Sequence, residues 1–488
     1  MSLITTTRLT VRSASQHAVR ASTPTCKRRT FLNSIFSGPS TVKRRPRPEE
    51  ESPALPTPTR EYHPSPRPPE KVVHSAANAR QFDEYPVKTV AVSIDDSPRE
   101  FDTVFLRDSC TCPRCVDPHS KQKLFQTSDI PQKIEGTSRI VEDTDKGWMI
   151  EVEWQNDVPG YDAEHRTRHS LDWLRRALNT EVELRGGFRH DDRVLWDRDT
   201  ITKNNKWVDY EDWMGEDEVL FDALSHLNKY GLLFLCNVPG SEVSVVDIAS
   251  RIGTLKDTFY GRTWDVRSKP KAENIAYTPQ FLGLHMDLLY TSNPPHLQLL
   301  HSLRARTPGG ESFFSDAFHA AQKLHDVSKS HFRTLCTFPV TYHYHHKEYH
   351  YHNTRPTIET HPYPKYSEPT NLALHRVNWS PPFQAPFEAR IGTSSPALRN
   401  YLAASHAYEK LLSAEDNLFE YRLNEGECVI FDNRRVLHAR RAFDATKGER
   451  WLKGAYVDDD VFFSKLRVLE ERFTGKWVAE GAVRPVVR

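Results

Sequence analysis

Residues 281–290 read Phe-Leu-Gly-Leu-His-Met-Asp-Leu-Leu-Tyr, and the pair His285-x-Asp287 within them decides how the chain is read. Along an extended strand, residues i and i+2 project to the same side. An imidazole and a carboxylate at that spacing can therefore meet on one metal ion. Alone the pair is a weak signal, because the spacing recurs by chance. A facial non-haem Fe(II) centre needs one more histidine and leaves three coordination positions open.

That histidine has a candidate far downstream. Residues 424–441 run Asn424-Glu-Gly-Glu-Cys-Val-Ile-Phe-Asp432-Asn433-Arg-Arg-Val-Leu-His438-Ala-Arg-Arg441. The pattern predicts a turn marked by glycine, a buried strand, a second turn, and a strand carrying His438. Twelve residues on, Arg450 opens Arg-Trp-Leu-Lys-Gly-Ala-Tyr456. The planar fork of arginine suits the far carboxylate of a dicarboxylate such as 2-oxoglutarate. The keto-acid end of that cosubstrate would then take two metal positions and O2 the third. Taken singly, His438 suits a basic surface stretch, Arg450 a solvated charge, and Asp432 a turn cap. Taken in this order they specify an Fe(II) site of His285, Asp287 and His438, with Arg450 as the cosubstrate anchor.

A second metal is expected near the start of the folded sequence. Cys110, Cys112 and Cys115 form C-x-C-x-x-C, and Pro113 suggests a tight turn that aims several sulfurs at one point. Structural zinc takes four tetrahedral ligands, mostly thiolate and imidazole. His119, His165 and His169 are the candidates for the fourth. With seven cysteines in 488 residues, a disulfide scaffold is not indicated.

Bulk composition narrows the class. The net charge of +1 argues against nucleic-acid binding by bulk attraction. There is no run of 18 apolar residues, so no membrane-spanning helix is expected. Residues 1–48 hold ten Lys or Arg, and the first acid is Glu49. With Arg12, Gln16 and Arg20 along one side of a possible helix, they read as a mitochondrial presequence directing the chain to the matrix. Residues 49–86 belong to a proline-rich linker, in which no packed element is expected.

Folded sequence begins near residue 87. Residues 88–108 alternate as strands ending in Val104-Phe105-Leu106, and Trp148–Trp154 reads as a half-buried strand. A short helix fits residues 171–176. Residues 87–180 thus form a small β-rich zinc-binding domain. Helices are expected over residues 216–230 and 245–252, the latter with Ser244 as N-cap, and a strand over residues 231–238. From Ile275 on, strands dominate, with one helix around residues 317–326. Residues 205–475 form the oxygenase domain.

These motifs resemble the gamma-butyrobetaine and trimethyllysine dioxygenase family over residues 88–472. Leu-Arg107-Asp108-Ser-Cys-Thr-Cys-Pro-Arg-Cys is similar to its LRDxCxCxxC segment, and Glu164-His165 with Asp172-Trp173-Leu174 matches the position of its zinc histidine. The resemblance therefore implies zinc on Cys110, Cys112, Cys115 and His165. Phe259-Tyr260-Gly-Arg-Thr-Trp264, Asn274-Ile-Ala-Tyr277, Gly309-Gly310-Glu-Ser312, Asn433-x-x-x-Leu-His438 and Arg450-x-x-x-Gly-Ala-Tyr456 match as well. It implies a mainly β fold with flanking helices and a double-stranded β-helix (jelly-roll) core. It also implies Fe(II), 2-oxoglutarate, ascorbate as reductant and a homodimer. The substrate is expected to be a small quaternary-amine acid, held by Tyr260, Trp264, Tyr277 and Tyr456. Gamma-butyrobetaine converted to carnitine is the first candidate, with trimethyllysine or another small carboxylate second. An inactive binding protein on the same fold is the reading of another class, and the complete ligand set weighs against it. Two departures bear on the substrate. Leu288 follows Asp287 where the family resembles H-x-D-Y, and residues 342–353 are dense in His and Tyr, which suggests a substrate-side loop rather than a metal-binding surface.

Overall fold

The computed structural model describes residues 87–144, 147–178, 193–267, 278–346, 348–360, 374–387 and 396–475. The chain divides into two units, Met1–Lys88 and Thr89–Arg488, and the second is described below. The expected presequence, the linker and Tyr277 lie outside the described residues.

The unit begins with a hairpin of β1 (Thr89–Ile94) and β2 (Ser97–Asp102). Asp95 and Asp96 both take positive φ, 50° and 59°, the backbone that a two-residue hairpin turn needs. Val90, Val92 and Ile94 are buried and the residues between them exposed, the period of two that a half-buried strand requires. Val104-Phe105-Leu106, expected as strand, is instead part of the helix Thr103–Asp108. The Asp102 carboxylate accepts from the Val104 N–H at 2.7 Å, and this local cap overrides the β-type alternation. A three-stranded antiparallel sheet follows, β3 (Gly136–Asp143), β4 (Gly147–Trp154) and β5 (Arg166–Ser170), and then the helix Leu171–Leu178.

The larger part is built on two sheets. In chain order its strands are β6 (Trp207–Asp209), β7 (Leu232–Cys236), β8 (Trp264–Arg267), β9 (Leu282–His285), β10 (Leu297–Ala305), β11 (Ser312–Asp316), β12 (Val340–His345), β13 (His350–Arg355), β14 (Ile358–Thr360), β15 (Leu374–Val377), β16 (Leu418–Tyr421), β17 (Cys428–Asp432), β18 (Val436–Arg440) and β19 (Arg450–Val457). Six of them form one sheet in the order β6-β7-β17-β10-β19-β8, antiparallel except for β6–β7. Four form the other, β16-β11-β18-β9, antiparallel throughout.

Period-two alternation explains how the large sheet is buried on both faces. Leu232, Phe234, Val429, Phe431, Leu452 and Tyr456 turn to the core that holds Phe314, Val436 and Leu437 of the smaller sheet. Their neighbours Leu233, Leu235, Cys428, Ile430, Ala455 and Val457 turn to a second core made with the helices Asp217–Tyr230, Ser244–Ile252 and Asp459–Thr474. Phe314 joins the sheets, with ring centroids 6.1 Å from Phe234 and 5.6 Å from Phe431.

Two expectations change here. Ser244 does not cap its helix: it is the first helical residue, and its hydroxyl donates to the Pro239 carbonyl at 2.9 Å. Beyond Ile275 there are more helices than the one expected, because Lys329–Thr337, Ala397–Leu412 and Asp459–Thr474 are helical too. In the last of these Phe462, Leu466 and Leu469 fall at i, i+4 and i+7 and supply its buried face. Among the described residues no helix is long and apolar enough to cross a membrane.

Candidate active site

β9 and β18 are paired so that His285 stands directly opposite His438. Their ring centroids are 4.1 Å apart. One ligand atom each from His285, Asp287 and His438 lies within 4.8 Å of the others. The route by which Asp287 arrives differs from the expected one. β9 ends at His285, so Asp287 is not two residues along a strand but in the turn after it. Leu288 there takes φ of 61°. A left-handed backbone at a bulky residue costs on the order of 1–2 kcal/mol and is found where surrounding contacts impose it.

Asn433 supplies those contacts. Fully buried, it accepts from the Asp287 N–H at 2.8 Å and donates to the Asp287 carbonyl at 3.1 Å. A further donation to the Pro295 carbonyl at 3.2 Å ties the turn to the start of β10. Asn433 therefore fixes the peptide that presents the Asp287 carboxylate. Asp432 accepts from the Arg434 N–H at 2.8 Å, which is the turn-capping role.

The protonation pattern suits a cation. His285 Nδ1 lies 2.8 Å from the Gly283 carbonyl, so Nδ1 carries the proton and Nε2 keeps its lone pair. That lone pair faces Asp287 Oδ1 at 3.5 Å. Burial alone would raise the Asp287 carboxyl, but the His285 contact, the nearby imidazoles and the Tyr456 hydroxyl hold it below the usual range. Burial, with His285 alongside, pushes His438 down to about 3, which keeps it neutral as a metal ligand must be. The Tyr456 hydroxyl donates to Asp287 Oδ2 at 2.7 Å, leaving Oδ1 on the histidine side. The donor set of two imidazoles and one carboxylate fits Fe(II).

Arg450 enters the same cavity from the large sheet, and Arg440 from the small one. Their surroundings differ. Arg440 donates to the carbonyls of Thr278 at 2.6 Å and Gln280 at 2.8 Å. Arg450 has no hydrogen-bond or carboxylate partner among the described residues, only the Phe443 ring 5.5 Å away. Burial and Arg440 push it down to about 9, so it remains charged near neutrality. Glu311 acts on it only at a distance, with no ion pair among the described residues, so the buried charge is under-compensated, and a bound carboxylate would relieve it. Gly310, at φ 73°, makes the room: a Cβ there would lie 3.0 Å from Arg450 Nε.

The rest of the wall is aromatic. Of the four residues expected to hold substrate, Tyr260, Trp264 and Tyr456 line the cavity. Trp264 stacks on Tyr456 with ring centroids 3.8 Å apart. It also lies against Gly454, where a Cβ would come within 2.4 Å of the indole. Tyr290, Phe383 and Gln298, which were not among the residues expected at the site, share the lining. Tyr290 brings its hydroxyl within 3.4 Å of that of Tyr260, and its ring is 5.3 Å from Phe383. The signal for Tyr290 was present as the aromatic nearest Asp287. Phe383 sits in no motif.

The cysteine cluster is equally compact. His165 Nε2 lies 3.7, 3.5 and 3.4 Å from the sulfurs of Cys110, Cys112 and Cys115. Its Nδ1 is 2.6 Å from Asp157 Oδ2, and the other Asp157 oxygen pairs with buried Arg107. Arg107 in turn reaches the Cys115 sulfur at 3.4 Å. His169 is elsewhere engaged, 2.9 Å from the Leu106 carbonyl and stacked on Trp173. Three thiols, one imidazole and a carboxylate behind the imidazole suit a closed tetrahedral zinc site.

Comparison with known proteins gives a consistent result. A family model described as "Taurine catabolism dioxygenase TauD, TfdA family" matches residues 199–456. "Dioxygenase str8" of Strobilurus tenacellus is 38% identical over 380 residues, covering 75% of this chain and 84% of the relative. A gamma-butyrobetaine dioxygenase of Pseudomonas sp. (strain AK-1) is 29% identical over 379 residues, with 76% and 90% covered. The mitochondrial trimethyllysine dioxygenase of Bos taurus is 26% identical over 376 residues, with 76% and 82% covered.

Proposed function

The chain belongs to the TauD, TfdA family of dioxygenases, and from that premise we propose that it hydroxylates a small quaternary-amine acid, with gamma-butyrobetaine to carnitine as the first candidate. It is a 2-oxoglutarate-dependent dioxygenase of the gamma-butyrobetaine and trimethyllysine type. The observation that carries the proposal is the pairing, in one cavity, of an anion-seeking Arg450 with a wall of tyrosine and tryptophan rings.

In this reading His285, Asp287 and His438 hold Fe(II). Bound there, Fe(II) would supply with 2-oxoglutarate and O2 the oxidation of an unactivated C–H bond, one oxygen atom going to the hydroxylated product and the other to succinate, with CO2 as the remaining product. Arg450 binds the distal carboxylate of 2-oxoglutarate and so sets which way the cosubstrate lies. The Tyr456 hydroxyl keeps one oxygen of Asp287 occupied and directs the other to the metal. Tyr260, Trp264, Tyr290 and Tyr456 present rings to the substrate's cation, and with Leu288 and Phe383 they exclude bulk water from the reacting centre.

The test is succinate formation from 2-oxoglutarate, with Fe(II) and ascorbate, across gamma-butyrobetaine, trimethyllysine and related acids. Each ring contact to a cation contributes about 0.5–2 kcal/mol. An uncharged tert-butyl analogue of gamma-butyrobetaine should therefore show kcat/KM lower by roughly tenfold or more. Equal kcat/KM for the two would remove the cation from the proposal. It would favour an apolar substrate instead, a reading that Leu288 after Asp287 also supports.

We further propose zinc on Cys110, Cys112, Cys115 and His165, as a clamp on the N-terminal domain. Replacing a carboxylate behind a metal-bound histidine weakens metal by roughly 10–100-fold. Asp157→Asn should do so here, read by competition with a zinc chelator. Unchanged zinc retention would detach Asp157 from the site. A mitochondrial matrix location and a homodimer complete the proposal. The first is supported by the acid-free, basic residues 1–48 and by the bovine relative's name.

A further inference from the structure

We propose that the outer face of the hairpin β12–β13 binds a divalent transition-metal ion of the copper, nickel and zinc class, through His343, His345, His350 and His352. The site is separate from the iron triad and from the cysteine cluster, and it departs from the substrate-side loop expected of residues 342–353, which only the inward tyrosines fit.

The register places all four imidazoles on one face of the hairpin, where no three of them yet bring ligand nitrogens within 4.8 Å of one another, so rotation of these side chains would gather them on an ion. His343 stands opposite His352, and His345 opposite His350. Since i and i+2 share a face, the two pairs lie on the same side. The backbone bonds then fix which pairs are close. His346 and Tyr349 exchange both N–H···O bonds across the turn, at 2.8 and 3.2 Å. Antiparallel pairs alternate between bonded and non-bonded kinds. Counting back from His346–Tyr349, both histidine pairs are of the non-bonded kind, in which Cα atoms approach to about 4.5 Å and side chains come closest. The rings of His345 and His350 are already stacked, with centroids 4.3 Å apart at 22°.

These rings have no other employment. His345, His350 and His352 are exposed and His343 is half-buried. None of the four has a hydrogen-bond or ion-pair partner among the described residues. The opposite face does the structural work. Tyr344 and Tyr351 turn inward, within 5.4 and 6.0 Å of the Tyr290 ring and 5.0 and 4.9 Å of Phe259. Packing therefore accounts for the tyrosines and for none of the histidines. Four imidazoles without thiolate suit copper(II), nickel(II) and zinc(II), and are a poor match for magnesium or calcium, which want oxygen. An ion bridging the two strands would stiffen the hairpin whose inner face backs the cavity wall.

The test is calorimetric titration of nickel(II) into the full-length, zinc-retaining protein and into the His345→Ala/His350→Ala variant. Nickel taken up at the iron triad contributes equally to both, so the difference isolates the hairpin. These positions are exposed, where substitutions usually leave the fold intact. The wild type should bind one more equivalent than the variant. Amide hydrogen exchange over residues 340–355 should slow by roughly fivefold or more on nickel addition in the wild type only. Equal stoichiometry in the two proteins overturns the proposal. So does an extra equivalent that leaves amide exchange unchanged, which would mark an adventitious surface ion only.

Discussion

Replacing His438 with alanine is expected to reduce succinate formation to the level of a metal-free control. Among the described residues the ring is one of three donors that converge in the cavity. Among the described residues no other donor takes its place, and Phe431 lies on its other side with ring centroids 4.8 Å apart. Asn433→Ala supplies the graded comparison. That residue touches no ligand atom, yet it accepts from the Asp287 N–H and donates to the Asp287 carbonyl. Loss of such support weakens metal by roughly 10–100-fold. Asn433→Ala should therefore recover much of its activity at high Fe(II), whereas His438→Ala should not. An Asn433→Ala protein with wild-type iron dependence would mean that the strained turn at Leu288 holds itself.

The second large effect is expected at Arg450. Truncating one partner of a buried charge pair costs about 2–5 kcal/mol, or roughly 30-fold to several thousand-fold in affinity. Arg450→Met keeps the length and apolar stem while removing the charge. The KM for 2-oxoglutarate should rise by about that factor, and iron binding should be little changed. Arg440 does not compensate, since its guanidinium is committed to the Thr278 and Gln280 carbonyls. A KM for 2-oxoglutarate that stays within a few-fold would place the cosubstrate carboxylate elsewhere. Should iron affinity fall in parallel, Arg450 would be acting on the metal site and not on the cosubstrate.

The residues of the site were more legible than their geometry. His285, Asp287, His438 and Arg450 declare themselves by chemistry and order, and all four line one cavity. Strand periodicity pairs His285 with Asp287 in the sequence, but the strand stops at His285 and a left-handed Leu288 turns the chain. That turn depends on Asn433, 146 residues away, and no local pattern encodes a contact of that range. The same limit hid Phe383, which reaches the cavity from a short turn of 3-10 helix at Pro381–Phe383. Among the secondary elements, long periodic stretches such as Asp217–Tyr230 were readable. The helix at Thr103–Asp108 was not, because one capping carboxylate decides it.

In the proposed function His285, Asp287 and His438 would hold an iron that also takes 2-oxoglutarate. Anaerobic visible spectroscopy tests it without substrate or turnover. Fe(II) bound by a keto acid gives a charge-transfer band that neither component gives alone. The full-length protein should develop this band only when Fe(II) and 2-oxoglutarate are both present. His438→Ala should not develop it, and Arg450→Met should do so only at much higher 2-oxoglutarate. A band of undiminished intensity in His438→Ala would contradict the assignment of the site.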